Sequence, residues 1–135
     1  MLKQLRGECL CGSVQYMVSD EFEYALNCHC SQCRRATGSA FKSLAGIQRS
    51  KLYLKKGNDC LLIYGDEQAS HDVHCRQCGS LLLSVVRSGA YVHLAMGSLL
   101  DEPSIKPSMH IFVASKAPWH EITDGLPQHS EFPQG

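Results

Sequence analysis

Three cysteines fall within six residues at Cys28-His29-Cys30-Ser31-Gln32-Cys33. Thiolates at this spacing can share one metal ion, and three of them leave a tetrahedral Zn²⁺ one ligand short of closure. That fourth position takes water or a substrate, and a zinc there lowers the pKa of an incoming thiol or water. Other readings compete. Cys60 could supply a fourth sulfur, although it opens the apolar run Cys60-Leu61-Leu62-Ile63, where a free cysteine commonly packs as a small hydrophobe. His29 could ligate as well, although a residue between two ligands usually points elsewhere. Cys30 and Cys33 could also act without metal, as a CxxC dithiol. Asn27 precedes the cluster and Arg34 and Arg35 follow it. Their guanidinium groups suit either a negatively charged metal–thiolate set or a substrate carboxylate, and equally a solvated helix surface.

Four further cysteines form two pairs. Cys75-Arg76-Gln77-Cys78-Gly79 is a CxxCG knuckle, in which two sulfurs on a tight turn grip one metal and the glycine takes a left-handed backbone. Cys9-Leu10-Cys11-Gly12 is a tighter pair, also followed by glycine. Together the pairs supply four thiolates, the donor set of a closed structural zinc site. Thiols two residues apart are strained as mutual disulfides. A thioredoxin-like redox role for the CxxC would call for a βαβ pattern, which the sequence lacks. Sulfur-rich tetrahedral sites suit zinc, and iron is the other metal they take.

These residues need a frame. The chain has 135 residues, 44% apolar and 19% charged, enough for one globular domain with a real core. Thirteen basic residues balance thirteen acidic ones, so no electrostatic case exists for nucleic acid or a membrane surface as partner. No apolar run approaches the ~20 residues of a membrane span. The start of the chain has no apolar h-region, which predicts a cytoplasmic protein. That compartment disfavours disulfides.

The pattern is one of short strands. Val14, Tyr16 and Val18 alternate with polar neighbours, as do Leu52 and Leu54, and Leu61 to Tyr64 is a short apolar run. Leu81 to Val86 and Ala90 to Met96 flank Arg87-Ser88-Gly89, which reads as a hairpin. Met109 to Val113 reads as a further strand, closed by Pro118. One or two helical turns fit Ser31 to Thr37, stopped by Gly38. The expected fold is all-β: one domain over residues 1–127, then an irregular tail over 128–135 bracketed by Pro127 and Pro133.

Gly7-Glu8-Cys9-Leu10-Cys11-Gly12-Ser13-Val14, Cys28 to Ser39, and Cys75-Arg76-Gln77-Cys78-Gly79-Ser80 resemble the motifs of the glutathione-dependent formaldehyde-activating enzyme family, which includes centromere protein V. Gly97 to Pro103, His110-Ile111-Phe112-Val113 and Ala117-Pro118-Trp119 fit the same pattern. The resemblance implies a zinc-stabilised β-tent of packed antiparallel sheets. It implies a structural zinc on Cys9, Cys11, Cys75 and Cys78, and a second, labile or catalytic zinc on Cys28, Cys30 and Cys33. The activity it implies is a carbon–sulfur lyase that forms or cleaves the adduct of a small thiol, glutathione-like, with an aldehyde such as formaldehyde. Arg34, Arg35 and His29 are the candidate substrate contacts, and His29 or water the candidate general acid. Two other classes remain: a non-catalytic zinc module in which both clusters are structural, and thiol-based metal or redox sensing.

Trp119, the one tryptophan, is expected to be a packing anchor after the last strand. His71, His74, His93, His110, His120 and His129 show no ligand spacing among themselves and are expected as packed or surface residues. His74 adjoins Cys75 and could support that ligand. Phe41 is expected either to begin a core strand or to line a pocket.

Overall fold

The computed structural model describes residues 3–133; Met1, Leu2, Gln134 and Gly135, at the ends of the expected domain and tail, lie outside it. It is mostly β-sheet with one short α-helix and four single 3-10 turns among the described residues. β1 (Gln4–Glu8), β2 (Gln15–Ser19) and β5 (Leu52–Lys56) form an antiparallel three-stranded sheet. β3 (Tyr24–Cys28), β4 (Lys42–Gln48), β6 (Leu61–Gly65), β7 (His71–Cys75), β8 (Leu81–Val86), β9 (Tyr91–Ala95) and β10 (His110–Ile111) form the second sheet, in the order β10-β3-β4-β9-β8-β7-β6.

Alternation explains how the sheets meet. Leu5, Tyr16 and Val18 from the small sheet, with Val14 from the turn before β2, pack against Ile47, Val73, Leu83, Val85, Val92 and Leu94 from the large one, all buried. The other face of the large sheet carries a smaller cluster of Leu26, Cys28, Leu44 and Ile111. Between the apolar residues that face the main core sits a polar row. Cross-strand register aligns Tyr24, Gly46, His93, Ser84, Asp72 and Tyr64 across six neighbouring strands. Residues in register share a face, so this row lies opposite the core. Gly46 makes room within it. A Cβ there would meet the Tyr24 ring, whose hydroxyl lies 2.7 Å from His93 Nε2.

The strands of alternating or apolar sequence fall where expected. β3 and β7 were not anticipated: Tyr-Ala-Leu-Asn-Cys is nearly all buried, whereas β4 is the core strand that Phe41 was expected to begin in one of its two readings, starting one residue later at Lys42. The strand expected over Met109 to Val113 shortens to His110–Ile111 and pairs with β3 in parallel, whereas the other ladders between named strands are antiparallel. Phe112 ends it by taking a left-handed conformation at φ 56°. Of the described residues beyond Pro127, Gln128 makes an isolated bridge with His110 and the rest are irregular, yet the His129 amide donates to His110 O and Glu131 O accepts from the Phe112 amide.

Candidate metal centre and the cavity beside it

Each knuckle owes its geometry to a turn. Between β1 and β2 the Gly12 amide donates to Cys9 O, and Gly12 takes φ +78°, a conformation that costs a side-chain-bearing residue. Between β7 and β8 the Gly79 amide donates to Cys75 O, with Gly79 at φ +81°. The sulfurs of Cys9, Cys11, Cys75 and Cys78 all lie within 4.8 Å of one another. Cys9 Sγ and Cys11 Sγ are 3.7 Å apart, and Cys11 Sγ and Cys75 Sγ 3.8 Å. A tetrahedral ion with metal–sulfur bonds of about 2.3 Å sets sulfur–sulfur edges of about 3.8 Å. Disulfide sulfurs would sit about 2 Å apart. Backbone amides complete the cradle: Val14 donates to Cys9 Sγ, and Gln77 and Cys78 donate to Cys75 Sγ. The donor set fits a metal ion, and Cys9 and Cys75 are buried in the main core.

The second set is built differently. Cys28 ends β3, and α1 (Ser31–Thr37) follows with Cys30 as its N-cap. Cys30 Sγ accepts from the Cys33 amide at 3.3 Å, and Gly38 closes the helix at φ 64°. The three sulfurs lie within 4.8 Å of one another, with no fourth cysteine, histidine or carboxylate joining them among the described residues. Such crowding frustrates ionisation. Cys28 is pulled down to about 6, chiefly by its hydrogen bond with Cys33, while that same partnership and burial push Cys33 well above the usual thiol range. One thiolate thus blocks the next unless a cation joins the set. This donor set also fits a metal ion, with three ligands.

Cys28 and Cys33 open onto a cavity of about 360 Å³. Its apolar wall includes Leu44, Ile111, Phe112 and Phe132; its polar wall includes Lys42 and the row residues His93, Ser84 and Asp72. Burial first, then the positive charges of Lys42 and Arg87, hold His93 down at about 4, so it is neutral at pH 7.

The remaining predicted residues are dispersed. His29 is fully buried and stands outside both the sulfur set and the cavity lining. Its Nε2 lies 2.8 Å from His110 Nδ1, and His110 Nε2 lies 3.0 Å from the Asp124 carboxylate. Since the carboxylate only accepts, a neutral His110 accepts from His29, whose own Nδ1 has no partner among the described residues. Burial holds His29 down at about 4, with His110, His120 and Lys116 adding to it. Arg34 Nε donates to Ser115 O, and Arg35 Nε to Ser31 Oγ; Arg35 lines a shallow groove next to the cavity and Arg34 lines neither. Cys60 packs against the main core and belongs to neither sulfur set, although its carbonyl accepts from the Arg76 amide of the knuckle. Phe41 precedes β4 and stacks near His29 and His120. Trp119 corrects its expectation: it is 71% exposed, with its edge towards His120, and anchors no packing.

Lys42, Ser84, Asp72, His110 and Asp124 were missed as site residues. Ser84 and His93, lone polar residues between apolar neighbours in strands, carried a sequence signal. Lys42 carried none, because its meaning depends on the cross-strand register with Cys28.

Among the described residues no helix is long and apolar enough to cross a membrane. A family model described as glutathione-dependent formaldehyde-activating enzyme matches residues 4–115. A crystal structure of a Rhodobacter sphaeroides protein is similar at 27% identity and a TM-score of 0.59, over 76% of this chain and 92% of that one. No curated protein matches.

Proposed function

Because the chain belongs to the glutathione-dependent formaldehyde-activating enzyme family, we propose that it is a carbon–sulfur lyase acting on adducts of a small thiol with an aldehyde such as formaldehyde. In this reading Cys9, Cys11, Cys75 and Cys78 hold a structural zinc, and Cys28, Cys30 and Cys33 hold a second zinc with one position open. The observation that carries it is that the three-sulfur set, one ligand short, borders a cavity.

When bound there, zinc supplies a Lewis acid that favours the thiolate form of an incoming thiol. The chain's own residues do the rest. Cys30, as N-cap, fixes the direction of α1 and so the position of Cys33. The chain of His29, His110 and Asp124 braces the turn between Cys28 and Cys30 from behind. Leu44, Ile111 and Phe112 keep water from one side of the cavity and strengthen electrostatic contacts inside it. In the forward direction the thiol sulfur bonds to the aldehyde carbon, the C=O π pair moves to oxygen, and the S–H proton is balanced by one taken up there. The reverse breaks the same bond.

The test is a rate. Zinc-loaded protein is mixed with formaldehyde and glutathione, or a simpler thiol, and adduct formation and breakdown are followed against the uncatalysed reaction. Acceleration that disappears in Cys30→Ser supports the reading. A fully zinc-loaded protein that accelerates none of these thiols sinks it.

A further inference from the structure

The cavity holds one buried cation that the reaction as described leaves unused. Lys42 opens β4 and is the cross-strand partner of Cys28, so the two side chains share a face. It is only 6% exposed. Its ammonium donates to Ser84 Oγ at 2.9 Å, and the Ser84 hydroxyl donates to Asp72 Oδ1 at 2.6 Å. An ammonium has three donors. Among the described residues Ser84 is the side-chain partner found, and no carboxylate lies within 4.0 Å of the nitrogen.

A buried ammonium is costly unless something nearby uses its charge. Three other polar side chains of the cavity are engaged. Asp72 accepts from Ser84, His93 meets the Tyr24 hydroxyl, and His71 Nδ1 lies against Asp66 O. Lys42 therefore brings the cavity's fixed positive charge, with donors to spare, beside Cys28. We propose that Lys42 is a catalytic residue: its ammonium receives the aldehyde oxygen as that oxygen becomes the alkoxide of the adduct. The role rests on the lyase reading above. The sulfur electron pair forms the S–C bond, the π pair goes to the oxygen held at Lys42, and water returns the proton that the thiol released. Proximity favours this oxygen over a substrate carboxylate. The alkoxide sits one carbon from the bound sulfur, whereas a carboxylate of a peptide-sized thiol lies several bonds further off.

Zinc-loaded wild type, Lys42→Met and Ser84→Ala separate the possibilities. Thioglycolate carries an anionic oxygen near its sulfur and ethanethiol carries none. By calorimetry the wild type should bind thioglycolate roughly tenfold more tightly, and Lys42→Met should lose that preference while retaining ethanethiol binding and zinc. Losing one donor to a developing oxyanion costs roughly 100-fold in kcat. With ethanethiol and formaldehyde, Lys42→Met should show that loss with the thiol KM unchanged. Equal binding of the two thiols by the wild type overturns the proposal without any variant. Wild-type acceleration of ethanethiol addition that survives Lys42→Met overturns the role of Lys42 alone, even if thioglycolate binding falls. A wild type with no acceleration overturns the lyase reading and this role together. Should Lys42→Met fail to fold, Ser84→Ala decides: a smaller loss of kcat supports the role, and an unchanged kcat overturns it.

Discussion

Cys9, Cys11, Cys75 and Cys78 come from two turns more than sixty residues apart and meet beside the main core, with backbone amides aimed at their sulfurs. Cys28, Cys30 and Cys33 come from one strand end and one helix turn, and they face a cavity. Both sets offer thiolates to a metal, and both sit on glycine-closed turns. They differ in what a missing ion would undo. The first set joins the ends of β1 and β7, so it is a cross-link between sheets. The second is local in sequence, so its loss leaves the sheets connected by their own ladders. A ligand set that crosses the fold stabilises it, and one confined to a single turn is free to serve chemistry.

The largest expected effect tests that contrast directly. Zinc binding at a structural four-sulfur site contributes on the order of 10 kcal/mol, comparable with the whole net stability of a domain, roughly 5–15 kcal/mol. Cys75→Ser should therefore abolish the folded protein, read by circular dichroism. Cys30→Ser should stay folded and carry one zinc fewer per chain. Two variants that behave alike, both folded or both unfolded, would break the comparison. Chelation sharpens it next: a moderate chelator should take the proposed zinc content from two per chain to one before the thermal transition moves by more than a few degrees. Simultaneous release of both would count against an open second site.

Acid should act mainly on the open side. His93 stands at about 4 in the fold against 6.5 for an ordinary histidine. Between those values the unfolded chain binds a proton that the folded chain refuses, so stability falls as pH drops from 6.5 towards 4. His93 accounts for about 3 kcal/mol of this at most, from 1.36 kcal/mol per pKa unit. Urea midpoints between pH 7 and 4.5 should fall less steeply in His93→Gln than in the wild type; parallel slopes would refute this origin. The smallest effect concerns the cavity mouth. Phe132 meets the Phe112 ring edge-on at 4.8 Å while 70% exposed. Phe132→Ala should cost about 1 kcal/mol and raise the thiol KM, with the four-sulfur metal content unchanged.

Much of the frame was legible because it rests on local chemistry. Cysteine spacing picked out both sulfur sets, and Gly38 after a polar stretch gave the helix its end. Alternation in Gln15–Ser19 and apolar runs in Leu61–Gly65 and Leu81–Val86 marked strands. What stayed hidden depends on neighbours. β3 is buried on both faces and so shows no alternation, and β4 carries a lysine whose burial is explained only by Ser84 on another strand. His29 looked like a possible ligand or acid because it lies between two cysteines, yet its partner is His110, eighty-one positions away. Trp119 misled for the opposite reason: its size suggested burial, but the chain after β10 runs over the surface and leaves it exposed.

The two-residue parallel pairing of β10 with β3 sets a timetable. His29 and His110 are 81 residues apart, which at a synthesis rate of 5–20 residues per second is roughly 4–16 s. Cys28, Cys30 and Cys33 leave the ribosome that much earlier than the segment that walls their cavity. For those seconds they form a short thiol-rich peptide next to one unfinished sheet, open to any passing ion or oxidant. Cys9 and Cys11 also wait, but for Cys75, and cannot complete their set sooner. The three-thiol stretch is therefore open to a metal ion while the nascent chain is still growing, before the last strand closes over it.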